Sequence, residues 1–307
     1  MIKFYKTVNN AVTEIDKAEN GCWISVIAPN EVEIKNVIEN YGLDAGFVRA
    51  ALDEEESSRI ENEEDQTLII VDYAVAETDA QNAILYSTMP MGIILKPTYV
   101  VTVSLKENII LSEMSSGVIK NVHTDMKTRF VLMILLRIAT KFLQYLKQID
   151  KISYFMEKQL HKSMKNKELI QLLDLEKSLV YFSTSLKANE VTLEKILRGR
   201  VIKLYEDDQD LLEDVLIEIK QAIEMAGIYS SILSGMMDAF ASVISNNLNI
   251  VMKTLTIITI VMSIPTIIFS YYGMNVENLP MAVSWFPVVL SIVAAGVVAF
   301  ILLKRQK

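Results

Sequence analysis

The chain has 307 residues, 51% apolar and 22% charged, a balance that excludes a disordered or collagen-like polypeptide. Its formal charge of −8, from 30 Lys and Arg against 38 Asp and Glu, argues against a general nucleic-acid binder. A single cysteine, Cys22, excludes an intramolecular disulfide framework and a Cys-rich zinc site, and His123 and His161 are the only histidines.

The start, Met1-Ile2-Lys3-Phe4-Tyr5-Lys6, has no secretory hydrophobic run, so the N-terminus is expected in the cytosol. Segments 22–28, 68–75, 83–87, 91–95 and 99–104 are short, rich in β-branched residues and bounded by turn residues, which predicts strands. Asn30, the segment 31–40 and Gly42 predict a helix capped at Asn30 and stopped at Gly42. Together these read as an α/β layer with a mixed sheet. The acidic runs 54–56, 61–65 and 206–214 read as solvated helix faces.

Beyond residue 125 glycine is rare, and no proline occurs before Pro265. Phe130, Met133, Ile134, Arg137, Ile138 and Phe142, then Leu172, Leu175, Leu179 and Phe182, recur at helical spacing. The pattern predicts helices over 125–160 and 166–195, a turn near Gly199 and a third helix from about Asp207. Gly227 and Gly235 weaken this third helix without ending it. One helix over 207–271 is therefore expected, roughly 100 Å long at about 1.5 Å per residue. A stalk of that length needs partners, either the preceding helices or copies of itself.

Residues 254–272 and 285–303 are each a run of 19 without a charge, long enough as helices to cross a bilayer. The competing reading is a pair of buried helices in a soluble core. Lys253 precedes the first run, Lys304, Arg305 and Lys307 follow the second, and 273–284 carries Glu277 but no Lys or Arg. This asymmetry puts 1–253 and the tail in the cytosol and 273–284 outside. Tyr271, Tyr272 and Trp285 fall at the expected outer interface.

Asp238, Ser242, Ser245, Asn249, Thr256, Thr259, Ser263, Thr266 and Ser270 follow one another at steps of 4, 3, 4, 7, 3, 4, 3 and 4. At about 3.5 residues per turn they share one helix face, interrupted at Met252. Taken singly, Ser and Thr in membrane helices bond their own backbone or glue helices together. A polar face that continues across the whole hydrocarbon layer needs water or a partner along its length. Two spans per chain cannot enclose a channel, so a conducting path requires several copies around an axis. Hydroxyls, amides and one carboxylate, without His, Cys or Glu, suit a hard cation that keeps its water, as magnesium does.

Between the two runs stands Tyr272-Gly273-Met274-Asn275, followed by Val276-Glu277-Asn278-Leu279-Pro280. A Gly-Met-Asn triplet between two C-terminal spans resembles the CorA family of divalent metal ion transporters. Residues 51–61 and 93–104 are similar to that family's N-terminal domain. The resemblance covers nearly the whole chain and implies an α+β membrane protein. Its parts are a cytosolic α/β domain (1–122), cytosolic helices with a stalk (123–253), a pore-lining transmembrane helix (254–272), an extracytoplasmic loop (273–284), an outer transmembrane helix (285–303) and a basic cytosolic tail (304–307). The resemblance further implies a homopentameric funnel set in the lipid of the inner (plasma) membrane, with both termini cytoplasmic.

Carried over by likeness, the outer ring of the pore falls on Asn275, with Gly273 and Met274 shaping the loop and Glu277 attracting cations. Counting back from the triplet, Thr266, Ser263, Leu255, Asn249 and Asp238 match pore positions, with Leu255 as a hydrophobic constriction. Thr256, Thr259 and Ser270 complete the expected lining. Ser263 is a departure, because a methionine gate is common there; Pro265 sits one position from the family's proline, and Met281 replaces a second acid of the loop. A regulatory metal between protomers is implied at Asp214, with Glu77 or Asp79, in the acidic turn after Val75, as candidate partners. The competing reading of those acids is a solvated surface.

The implied function is passive, potential-driven influx of hydrated magnesium, gated by intracellular magnesium. Mg2+ is then both transported and regulatory ion, with no organic cofactor and no nucleic-acid partner. No Walker-type loop, dinucleotide glycine pattern or metalloprotease His pair suggests an enzyme. Two alternatives stand: zinc, cobalt or nickel transport by a member of the same family, and a membrane-anchored cytosolic sensor or scaffold.

Overall fold

A computed structural model describes residues 1–78, 84–163, 166–198, 202, 204–275, 280, 281, 283 and 285–305, without the side chains of 161–163. The chain divides into two compact units, Met1–Met236 and Met237–Lys307. The first holds β1 (Ile2–Val8), β2 (Ala11–Ile15), β3 (Trp23–Ile27), α1 (Glu31–Tyr41), α2 (Ala45–Ala50), β4 (Arg59–Glu63), β5 (Gln66–Thr78), β6 (Ile84–Leu95) and β7 (Val100–Ser104). After these come α3 (Ile109–Ser115), α4 (Lys127–Ser163), α5 (Asn166–Leu197) and the first part of α6 (Glu206–Tyr272).

The strands form one sheet in the order β2-β1-β3-β7-β6-β5-β4. Only β3 and β7 run parallel; the other described pairs are antiparallel, so the sheet is mixed as expected. Alternation along β3 sends Ile24 and Val26 to one face, where they pack with Val37 of α1 and Phe47 and Val48 of α2. Trp23 points to the other face, its ring 5.3 Å from Phe130 of α4. Its indole N–H donates to Thr102 at 2.9 Å, satisfying the one polar atom that this burial would strand.

The α1 cap is as the sequence predicts. Asn30 Oδ1 accepts from Glu33 N at 2.8 Å, the Glu33 carboxylate accepts from Asn30 N at 3.0 Å, and Gly42 ends the helix at φ 58°. The strands β1, β2 and β4 and the short helices α2 and α3 are additions to the expected elements. Asn9 and Asn10, at φ 52° and 62°, make the two-residue turn between β1 and β2. The expected strands 83–87 and 91–95 are not separate: β6 runs from Ile84 through Pro90 to Leu95, Ala83 lying outside the described residues. Pro90 stands opposite Asp72, whose backbone N–H and C=O bond the Asn189 side chain instead of β6, and β7 ends at Ser104 opposite Met91. No partner in the sheet asks Pro90 for an N–H. The acidic run 61–65 lies in β4 and its turn and 54–56 in a connection, so only 206–214 is on a helix.

Asn189 also anchors α5 to the sheet. Its amide donates to Asp72 O at 2.8 Å and accepts from Asp72 N and Ser58 Oγ, each at 2.9 Å. It stands in for a strand residue beyond the end of β4. Ser185 Oγ donates to Thr88 Oγ1 at 2.9 Å nearby. Beside them burial pushes the Asp72 carboxyl above its ordinary range.

A raised carboxyl pKa means that the cost of holding the charge is absent at acid pH and grows as pH rises through the folded-state value. Asp72→Asn is expected to raise the urea-unfolding midpoint at mildly alkaline pH. The gain should shrink toward zero as pH falls to about 4, the range of an unfolded carboxylate. Unfolding curves of both chains across that range check it.

Candidate functional site

The second unit contains the rest of α6 and α7 (Phe286–Lys304). Both helices are long and apolar enough to cross a membrane. None of the most apolar window of α6 and 6% of that of α7 is buried within the chain. A soluble core would bury such windows, so the soluble-core reading fails, and lipid or further copies must cover them. Pro265 lies inside α6, where it deletes one backbone hydrogen bond without ending the helix.

Within this unit α6 has two contrasting faces. Ile257, Val261, Ile264 and Ile268 are half-buried, and so are the small residues Ala294, Ala295 and Ala299 of α7. Thr256, Thr259, Ser263, Thr266 and Ser270 are exposed, as are Asp238, Ser242, Ser245 and Asn249. At about 100° per residue the hydroxyls centre roughly 150° from the half-buried face. They point neither into the chain's own packing nor toward α7. Leu255 is 55% exposed.

The hydroxyls bond their own helix as well. Thr256 Oγ1 donates to Met252 O at 2.8 Å, Thr259 to Leu255 O at 2.9 Å, Ser263 to Thr259 O at 2.8 Å and Thr266 to Met262 O at 3.2 Å. Self-satisfaction and an outward polar face are therefore compatible. With the proton committed to the carbonyl, each oxygen turns lone pairs outward. The face accepts hydrogen bonds, which suits water molecules polarised by a cation.

At its C-terminal end α6 closes against the triplet. Gly273 N donates to Phe269 O at 2.9 Å, and a Cβ there would stand 3.1 Å from the same oxygen, so the approach favours glycine. Met274 and Asn275 are exposed, and the Asn275 amide has no hydrogen-bond partner among the described residues. Tyr272 Oη donates to Pro280 O at 3.1 Å, and its ring lies 6.2 Å from that of Phe286. This tie across the connection had no signal in the spacing. Glu277 lies outside the described residues.

The expected regulatory acids belong to the first unit. Asp214 is exposed on α6, and Glu77, near the end of β5, pairs with Lys106 at 3.1 Å. Asp79 lies outside the described residues. Among the described residues no group of three or more His, Cys, Asp or Glu could hold a metal within one chain.

A family model described as "CorA-like Mg2+ transporter protein" matches residues 18–305. The cobalt/magnesium transport protein CorA of Methanocaldococcus jannaschii is 27% identical over 290 residues, covering 92% of this chain and 90% of that one. The protein of the same description from Thermotoga maritima is 36% identical over 148 residues, 43% of this chain and 42% of that one. Among solved structures, the complete CorA magnesium transporter from M. jannaschii superposes with a TM-score of 0.80 at 23% identity, covering 99% of this chain and 96% of that chain. Full-length CmaX superposes at 0.70 with 13% identity, covering 99% and 97%.

Tyr272→Phe removes the one described side-chain bond across the connection while keeping the ring contact. Both helices should stay in place, and proteolysis within 273–285 should quicken by up to about tenfold, the worth of one hydrogen bond. Timed digestion of the protein in detergent reads this.

Proposed function

Because the chain belongs to the CorA-like Mg2+ transporter family, we propose that it carries hydrated divalent cations, magnesium foremost, through a pore formed by several copies of itself. The single observation that carries this reading is the exposed polar face of α6, interrupted only at Met252 and turned away from the chain's own second span. The relatives named for cobalt and magnesium transport support the same cargo. In this reading the assembly is a homopentamer in the plasma membrane with both termini in the cytosol, and it performs no covalent chemistry.

A hydrated ion docks at a ring of Asn275 amides, which accept hydrogen bonds from its water shell. Glu277 raises the local cation concentration. The ion then passes the acceptor face from Ser270 to Thr256, with Leu255 as an apolar constriction, and Asn249 and Asp238 collect it at the stalk. Neutral oxygens suit an ion held through its water, and magnesium dehydrates reluctantly. The membrane potential is a sufficient driving force. A divalent ion crossing 100 mV gains about 4.6 kcal/mol, or roughly three decades of gradient.

For regulation, magnesium bound at Asp214 between protomers cancels carboxylate repulsion and holds the pore shut; its loss at low internal magnesium frees the assembly to open. Glu77 serves as second ligand through its other carboxylate oxygen, Oε1 already accepting from Lys106 at 3.1 Å.

Asn275→Ala in liposomes under an inside-negative potential should cut magnesium uptake by about tenfold or more, since every copy loses an amide contact to the water shell. Unchanged uptake removes the outer-ring assignment. Asp214→Ala should abolish the protection that magnesium gives against proteolysis. Glu277→Lys should slow uptake at low ionic strength, with the difference fading above about 0.15 M salt.

A further inference from the structure

An apolar groove of the first unit is left open by its own packing. Ile152, Phe155 and Met156 of α4, Leu175 of α5 and Ile84 and Leu85 at the start of β6 line a cavity of about 310 Å³, at the small end of small-molecule sites. Leu175 is buried and Ile152 and Met156 are half-buried, so the floor is preformed. Phe155, Ile84 and Leu85 stand 54%, 45% and 37% exposed around it. A ligand that covers such walls gains the free energy of removing them from water. Met156 is flexible enough to fit chains of differing shape.

The rim adds charge. Lys151 and Asp174 both border the groove. Asp174 pairs with Lys177 at 3.9 Å, whereas Lys151 has no hydrogen-bond or ion-pair partner among the described residues. Lys147, Lys151, Tyr154 and Lys158 are exposed, and at about 100° per residue they share one face of α4. The acids of the same stretch, Asp150 and Glu157, lie roughly 140° or more round the helix from Phe155. The α4 side of the rim is therefore cationic. Gln171, on the α5 side, supplies a neutral amide that can donate to an anion.

The lining selects the ligand. An apolar floor beside an unpaired ammonium matches a molecule with a hydrocarbon body and one anionic end. A cationic amphiphile would meet Lys151 with Asp174 already engaged, and a polyphosphate would leave the apolar walls uncovered. We propose that this groove binds a medium-chain acyl carboxylate, its chain against Ile152, Phe155, Met156 and Leu175 and its carboxylate on Lys151. The site is independent of the transport reading.

Photolabelling tests the proposal: the full chain in phosphatidylcholine nanodiscs is irradiated with a diazirine analogue of decanoic acid, and modified peptides are read by mass spectrometry. Labelling within 152–156 should saturate and be displaced by decanoate, with decylamine and decanol at least about tenfold weaker, the worth of one charge-assisted hydrogen bond. Labelling within 286–303, by probe dissolved in the lipid, is the reference. Lys151→Gln should weaken groove labelling about tenfold. Phe155→Ser, at an exposed position, should weaken it a few-fold by removing one wall. The proposal is overturned by labelling of the groove that does not saturate, by decylamine competing at least as well as decanoate, or by either variant labelling like the unaltered chain. A groove covered by a second copy in the assembled protein gives the first of these results.

Discussion

A polar side chain in hydrocarbon must find a partner, and that constraint organises the second unit. Four consecutive hydroxyls of the α6 stripe solve it locally, each giving its proton to the carbonyl one turn back. The same choice leaves a line of oxygen acceptors facing away from α7. Local satisfaction makes the lone helix tolerable, while the outward lone pairs give it something to offer a hydrated cation.

The opposite face obeys a different rule. Half-buried Ile257, Val261, Ile264 and Ile268 share the unit with Ala294, Ala295 and Ala299 of α7, where small side chains permit close approach. One helix thus carries an apolar seam within its own unit and, on the opposite side, an exposed seam of oxygen acceptors. A chain that merely anchored a cytosolic domain would have no use for the second seam.

The second unit was the most legible part of the sequence, because nothing but composition and period is needed to see an uncharged run with hydroxyls at 4, 3 and 7. The bounds of α4, α5 and α6 and the Asn30 cap follow from equally local signals. What stayed hidden needed context. β4 is a polar edge strand, Arg-Ile-Glu-Asn-Glu, with no apolar alternation, and β1 and β2 join through an Asn9-Asn10 turn that carries no glycine. The α2 and α3 helices span six and seven residues, too short for a period to emerge. Pro90 is harmless within β6 because Asn189, from a helix distant in sequence, takes the bonds of Asp72 opposite it. At the site, the position of each hydroxyl was readable, but its rotamer and the tie from Tyr272 to Pro280 were not.

The central claim is that the acceptor face of α6 meets water across the apolar layer. Nitroxide labels placed singly along 255–270 in the protein in bilayers test it through collision with a water-soluble nickel chelate and with oxygen. The account requires nickel access to peak at 256, 259, 263, 266 and 270 and to vanish at 257, 261, 264 and 268. Oxygen-dominated collisions at the hydroxyl positions, with no helical period in nickel access, would place that face in lipid and contradict it.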